Sequence, residues 1–181
     1  VKTSSSRGDR DVTRRRVRSL RLITLSIGVA AVLAGCTTTA EVPDGGQSRA
    51  SALGDLDSTG FTDVELLLTD SQNGFQSTKS TDLFVGLPEG AVINDQAAVL
   101  DYLLRTAWSV SDVEPDSSIT AGFKGALEDI DWVAVGNADG LPLSDRTSAT
   151  NPTLSVDDAT STFGPWPGDV PVLPAGAITL P

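Results

Sequence analysis

The chain has no histidine and a single cysteine, Cys36, in 181 residues. Without imidazole, Ser-His-Asp and Cys-His nucleophile systems and histidine zinc sites are excluded. A lone cysteine forbids an internal disulfide. The sequence also contains no Ser-x-x-Lys pair, no Gly-x-Ser-x-Gly elbow, no Walker loop and no Gly-x-Gly-x-x-Gly turn. Positive charge is scarce over most of the length. After residue 35 only Arg49, Lys79, Arg105, Lys124 and Arg146 remain, against 22 acidic residues, a balance of -17. So acidic a body repels phosphate backbones and anionic lipid surfaces, so nucleic acid is not an expected partner.

What is present is unevenly distributed. The overall net charge is -11, because residues 1 to 35 carry eight basic groups and two acidic ones, a balance of +6. This leader runs TRRRVRSLR from Thr13, then LITLSIGVAAVLA over residues 22 to 34, then Gly35 and Cys36. A basic region, an apolar region and small residues form the layout of a secretory signal peptide. Thirteen apolar residues make roughly 20 Å of helix at 1.5 Å per residue, against a hydrocarbon core of about 30 Å. That is short for a permanent span, and the arginines hold the leader's start on the cytoplasmic side.

The segment Leu33-Ala34-Gly35-Cys36 resembles the lipobox of bacterial lipoproteins: an aliphatic residue, two small residues and a cysteine. The resemblance covers about the first fifth of the chain and says nothing about the remainder. It implies that the Cys36 thiol receives a diacylglyceryl group, and that a signal peptidase recognising Leu33, Ala34 and Gly35 cleaves before Cys36. Two acyl chains, at about 0.8 kcal/mol per buried methylene, give a stable anchor. The expected location is therefore the extracytoplasmic face of a cell membrane. Arg14-Arg15 resemble a twin-arginine export signal, but Val17 and Arg18 stand where that pattern has a large apolar pair, which favours the general secretory route.

At 18.7 kDa there is room for one domain beyond a leader. A hydrophobic content of 39%, with three Trp and five Phe, suffices for a modest core. The sequence predicts a signal peptide over 1–35, a lipidated cysteine and flexible tether over 36–60, a folded domain over 61–162 and a Pro-rich tail over 163–181. Asn73-Gly74 suits a type I' hairpin turn. Closing it there pairs Val64 with Leu83 and Leu66 with Thr81. Val64, Leu66, Leu68, Phe75, Leu83 and Val85 then share one face, with Leu67 and Phe84 as exceptions and Lys79 at the apolar edge. Asn94 or Asp95 can cap a helix to about Ala107, with Leu100, Leu103, Leu104 and Ala107 as its apolar stripe. Ile119, Ala121 and Phe123 alternate like a strand. Residues 125 to 136 read as a helix or as a buried strand, with helix preferred for its acidic first turn. Leu154 and Val156 suggest a short strand, with Asp157 capping one further turn. The tail, with five prolines, is expected to be extended and ordered only where Phe163 or Trp166 packs. The expected class is α+β: a small antiparallel sheet of three or four strands with two helices on one face.

Few groups suggest chemistry. Glu128, Asp129 and Asp131 crowd near Trp132, but a carboxylate hydrolase needs two acids at a set separation beside a cleft. Asp55, Asp57 and Asp63 partly follow a calcium-loop spacing, yet Leu66 occupies the position of the bidentate acid. No metal and no cofactor beyond the covalent diacylglycerol are expected. Trp108, Trp132 and Trp166 are candidate ligand contacts, since tryptophan is enriched at binding hot spots. The expected role is a non-enzymatic, membrane-anchored accessory or interaction domain with an envelope protein as partner. A small glycan- or ligand-binding lipoprotein is the alternative, and a carboxylate-based cell-wall hydrolase the third.

Overall fold

A computed structural model describes residues 45–181 other than Phe75 and Arg146, with the backbone alone at Asn73 and Gln76. The leader, Cys36 and the inward placement expected for Phe75 lie outside the described residues. The described chain folds as a four-stranded sheet, a separate two-stranded ribbon and four α-helices. The class is α+β with a small sheet.

The hairpin forms from β1 (Thr62–Asn73) and β2 (Gln76–Gly86). The turn comes one residue later than expected, because Asn73 stays in the strand opposite Gln76. Gly74, at φ 68°, takes the left-handed conformation the first loop position requires. Leu66 therefore faces Leu83, and Leu68 faces Thr81. Each partner has moved by two residues, which leaves the described side chains of the paired stretch on their expected faces. Leu66, Leu83 and Val85 are buried, whereas Leu67 is 39% exposed. The pairing breaks register between Thr62 and Glu65, where Asp63 has φ 50°, so a bulge lies at the start of β1.

Helix α2 (Gln96–Ser109) starts at Asp95, whose carboxylate accepts from the Ala98 N–H at 3.0 Å. Its expected stripe, Leu100, Leu103, Leu104 and Ala107, is entirely buried. The helix leads into β4 (Ser118–Phe123), which pairs with β2 in parallel, Leu83 facing Ala121. The sheet is thus mixed rather than antiparallel throughout, in the order β1-β2-β4-β5. A helix between two strands returns the chain to the end it left, which makes the next strand parallel. The short β5 (Thr153–Ser155) closes the far side antiparallel to β4.

Residues 125 to 136 form neither one helix nor a strand. A 3-10 turn (Gly125–Asp129) precedes α3 (Trp132–Ala138). Between them Ile130 is extended, and Asp131 caps α3 by accepting from the Ala134 N–H at 2.9 Å. The break lets Trp132 turn inward and stack on Phe123, ring centroids 3.7 Å apart. Helix α4 (Val156–Phe163) is capped by Ser155 rather than Asp157, the Ser155 Oγ accepting from the Asp158 N–H at 3.1 Å.

Two segments expected to be loose are packed. The second half of the expected tether forms α1 (Arg49–Ser58), capped by Ser48, with Ala52 and Leu56 fully buried. Just ahead of it, Gln47 bridges to Val110: its N–H donates to Ser109 O at 2.7 Å, and its carbonyl accepts from Ser111 N–H at 2.8 Å. At the other end, the tail buries Ala177 and pairs β6 (Ile178–Thr179) with β3 (Val92–Ile93). The buried residues Leu66, Thr81, Leu83, Val85, Ile119, Ala121, Phe123 and Leu154 all lie on the helix-covered side of the sheet.

Replacing Leu56 with alanine tests whether α1 belongs to the core. A cost of about 2–5 kcal/mol is expected from the cavity left behind, read as a lower midpoint in urea unfolding of the full chain. A segment acting only as a tether would shift it by less than about 0.5 kcal/mol.

Candidate functional site

The three tryptophans do not form a binding face. Trp108 and Trp132 are buried, so neither can meet a ligand in this fold. Their indole N–H groups donate to the main-chain oxygens of Gly164 at 3.1 Å and Leu127 at 2.8 Å. Trp166 is half-buried and donates to Val110 O at 3.2 Å. A buried indole needs such a partner, and the main chain supplies one each time. All three serve packing, and Trp108 and Trp166 knit the tail to the segment after α2.

The acids are also accounted for locally. Glu128 accepts from the Gly125 N–H at 3.2 Å, Asp131 caps α3, and Asp129 is exposed. Such arrangements complement helix starts. Asp55 and Asp57 lie two residues apart on α1, about 200° around its axis, and Asp63 sits in the bulge of β1. Among the described residues no group of three or more acids or thiols could hold a metal ion, and no helix is long and apolar enough to cross a membrane.

An open concavity of about 280 Å³ lies between α1, α2 and the tail, lined by Asp55, Thr59, Tyr102 and Leu173 among others. Burial pushes the Tyr102 phenol above its ordinary 10.0, against the lowering effect of hydrogen bonds with Thr59 and Thr106; the Asp55 carboxylate adds to the rise. The polar residues lining the concavity are Asp55, Ser58, Thr59 and Tyr102.

The uncovered side of the sheet has a more regular surface. Pairing sets three rows across it: Glu65, Phe84 and Gly122; Leu67, Asp82, Thr120 and Thr153; Thr69, Ser80, Ser118 and Ser155. Hydroxyls dominate, and several are joined. Thr120 and Thr153 share a hydrogen bond of 3.2 Å, and Ser80 donates to Asp82 at 2.9 Å. At β5 the hydroxyls of Ser117, Ser118, Ser144, Thr153 and Ser155 surround a space of about 310 Å³. Phe84, an exception to the alternating pattern, lies across Gly122, where any Cβ would collide with its ring. Lys124 stands over that ring, 5.7 Å from its centroid, and pairs with Glu65 at 3.0 Å. Leu67, the other exception, stays exposed at the β1 edge. Sequence reasoning noticed both residues only as irregularities. Their signal was the runs Leu66-Leu67-Leu68 and Leu83-Phe84-Val85, too apolar for strands with one wet face.

No protein-family model, no curated protein and no solved structure matches the chain. This side of the sheet carries hydroxyls together with Glu65 and Asp82, with Leu67 at its rim.

Two measurements check this assignment. Acrylamide quenching is expected to reach Trp166 alone, so that Trp166→Phe removes the quenchable emission while Trp108 and Trp132 stay protected. Above pH 10 the unfolded chain loses its tyrosine proton before the folded chain does. The stabilisation tied to Tyr102 is full below that pH and is lost as pH rises through the folded value. Tyr102→Phe is expected to flatten this alkaline loss in urea unfolding at stepped pH.

Proposed function

We propose that the chain is an exported lipoprotein, anchored through diacylglycerol at Cys36, whose folded domain works by contact and not by catalysis. The observation that carries the anchor is the sequence Leu33-Ala34-Gly35-Cys36 placed directly after a basic and an apolar segment. The absence of histidine and the local employment of the acids support the non-enzymatic part.

The fold constrains how such a domain would stand. Described structure begins at Gly45, nine residues after Cys36, so the link can reach at most about 30 Å at full extension. With α1 packed into the domain, the tether is far shorter than residues 36 to 60 would allow. A body carrying -17 is repelled by an anionic membrane surface over about one Debye length, roughly 8 Å at physiological salt. The short link and the repulsion together hold the domain near the lipid but off it. Its partners are then proteins anchored in the same envelope, within reach of the same surface.

Intact-mass analysis of detergent-extracted protein is expected to show a product of 146 residues starting at Cys36, heavier by a diacylglyceryl group or more. Cys36→Ala is expected to retain the leader and carry no acyl mass. An unmodified thiol at Cys36 in the wild-type protein would overturn the anchor.

A further inference from the structure

The two edges of the sheet are unlike. Strand β1 ends it with twelve residues, β5 with three. The β5 edge already has a neighbour, since the Ser144 N–H donates to Thr153 O at 2.8 Å. Along β1, among the described residues, no hydrogen bond from another segment reaches the main chain of residues 66 to 73 beyond its pairing with β2. Edge strands are ordinarily protected by shortness, proline, lysine, a bulge or a covering segment. The bulge of β1 is confined to its first residues. Residues 66 to 73, LLLTDSQN, contain no proline, no basic residue and one acid, Asp70. Near their start Leu67 is exposed on the uncovered face.

We propose that the β1 edge pairs antiparallel with the β1 edge of a second copy of this chain, about a two-fold axis at Leu67. The proposal rests on reading the domain as one that works by contact, and it gives that contact a partner. A two-fold axis normal to the sheet keeps each side chain on its own face. Residues that oppose one another must therefore have numbers of equal parity. Glu65 is odd and Asp70 even, so these acids never face each other in any such register. Like charges directly opposite would destabilise the pair, and with the axis at Leu67 each acid faces an uncharged residue, Glu65 facing Thr69 and Asp70 facing Val64.

With Leu67 on the axis, Leu67 meets its own copy, Leu66 meets Leu68, and Glu65 meets Thr69. Six leucines then surround the axis, and Leu66 and Leu68 extend the covered apolar layer across the junction. A shift of the axis to Thr69 would disperse them, setting Leu68 against Asp70 and Leu67 against Ser71. The assembly closes at two copies, because the pairing uses the long edge of each and the β5 edges are short and occupied.

Disulfide trapping in membranes tests this on the full chain. Leu67→Cys is expected to give an oxidised dimer in which peptide mapping finds position 67 linked to position 67. Val172→Cys, on the exposed tail, is expected to give none. Sedimentation in density-matched detergent is expected to show a wild-type dimer that tightens as salt screens the repulsion between acidic bodies. Leu67→Lys, which sets like charges on the axis at an exposed position, is expected to weaken it about tenfold with the fold retained by circular dichroism. A monomeric wild type, or a dimer that Leu67→Cys does not trap, would overturn the proposal. A strand from another protein captured by a monomeric chain would also overturn it. Wild-type protein trapped through Cys36 would instead report an unmodified thiol, so failure of the anchor and failure of the pairing are read separately.

Discussion

The buried stripe of α2 against the inner side of β2 and β4 is the contact on which the rest of this domain depends. Leu100, Leu103, Leu104 and Ala107 cover Leu83, Val85, Ile119 and Ala121, all sealed from solvent. The same helix carries the chain between the two strands, so the layer that buries the parallel pair also creates it. Helices α1, α3 and α4 then complete a single apolar cluster whose sides are set by α2 and the sheet. Tyr102, Trp108 and Val110, at the flanks and end of α2, are where α1 and the tail attach.

This economy explains why one side of the sheet is left bare. A chain of this size gathers its apolar residues into one layer between helices and sheet. The other side is finished with polar side chains: Ser80, Asp82, Ser118, Thr153 and Ser155, all half-buried, and Thr120, which is buried. Hydroxyls satisfy one another across strands and demand no partner. Phe84 is tolerated there only because Gly122 leaves a bed for its ring and Lys124 stands above it. The surface is thus quiet over most of its extent and apolar only at the β1 rim.

Much of this fold was legible in the sequence where one residue's role depended on near neighbours. The hairpin faces followed from alternation, and the start and stripe of α2 followed from Asp95 and helical spacing. The loop position was one residue off, because a bulge near Asp63 and the pairing of Leu66 with Leu83 set the register over a distance that turn chemistry does not see. Helix α1 was missed because it buries only Ala52 and Leu56, a stripe too thin to stand out among Ser, Gly and Asp. The docked tail and the parallel strand were missed because each is decided by partners far away in sequence: Val92 and Ile93 for the tail, Thr81 and Leu83 for β4. The packing of the tryptophans was hidden for the same reason. Nothing local to Trp132 announces that Phe123 will lie flat against it.

The bridge at Gln47 bears on how the domain would answer to mechanical load. A pull delivered from residues before Gly45 arrives first at Gln47, whose main chain is held to Ser109 and Ser111 and whose side-chain amide donates to Ser109 Oγ at 2.9 Å. Gly46 passes there between Ser109 O and Pro167 with no room for a side chain, so the tail closes over the same point. Tension is therefore transferred to the C-terminal end of α2, the most deeply embedded element, before it can unwind α1. A domain held from that end would be gripped by its core rather than by its edge, with drag on its outer parts resisted by the bonds that hold the whole together.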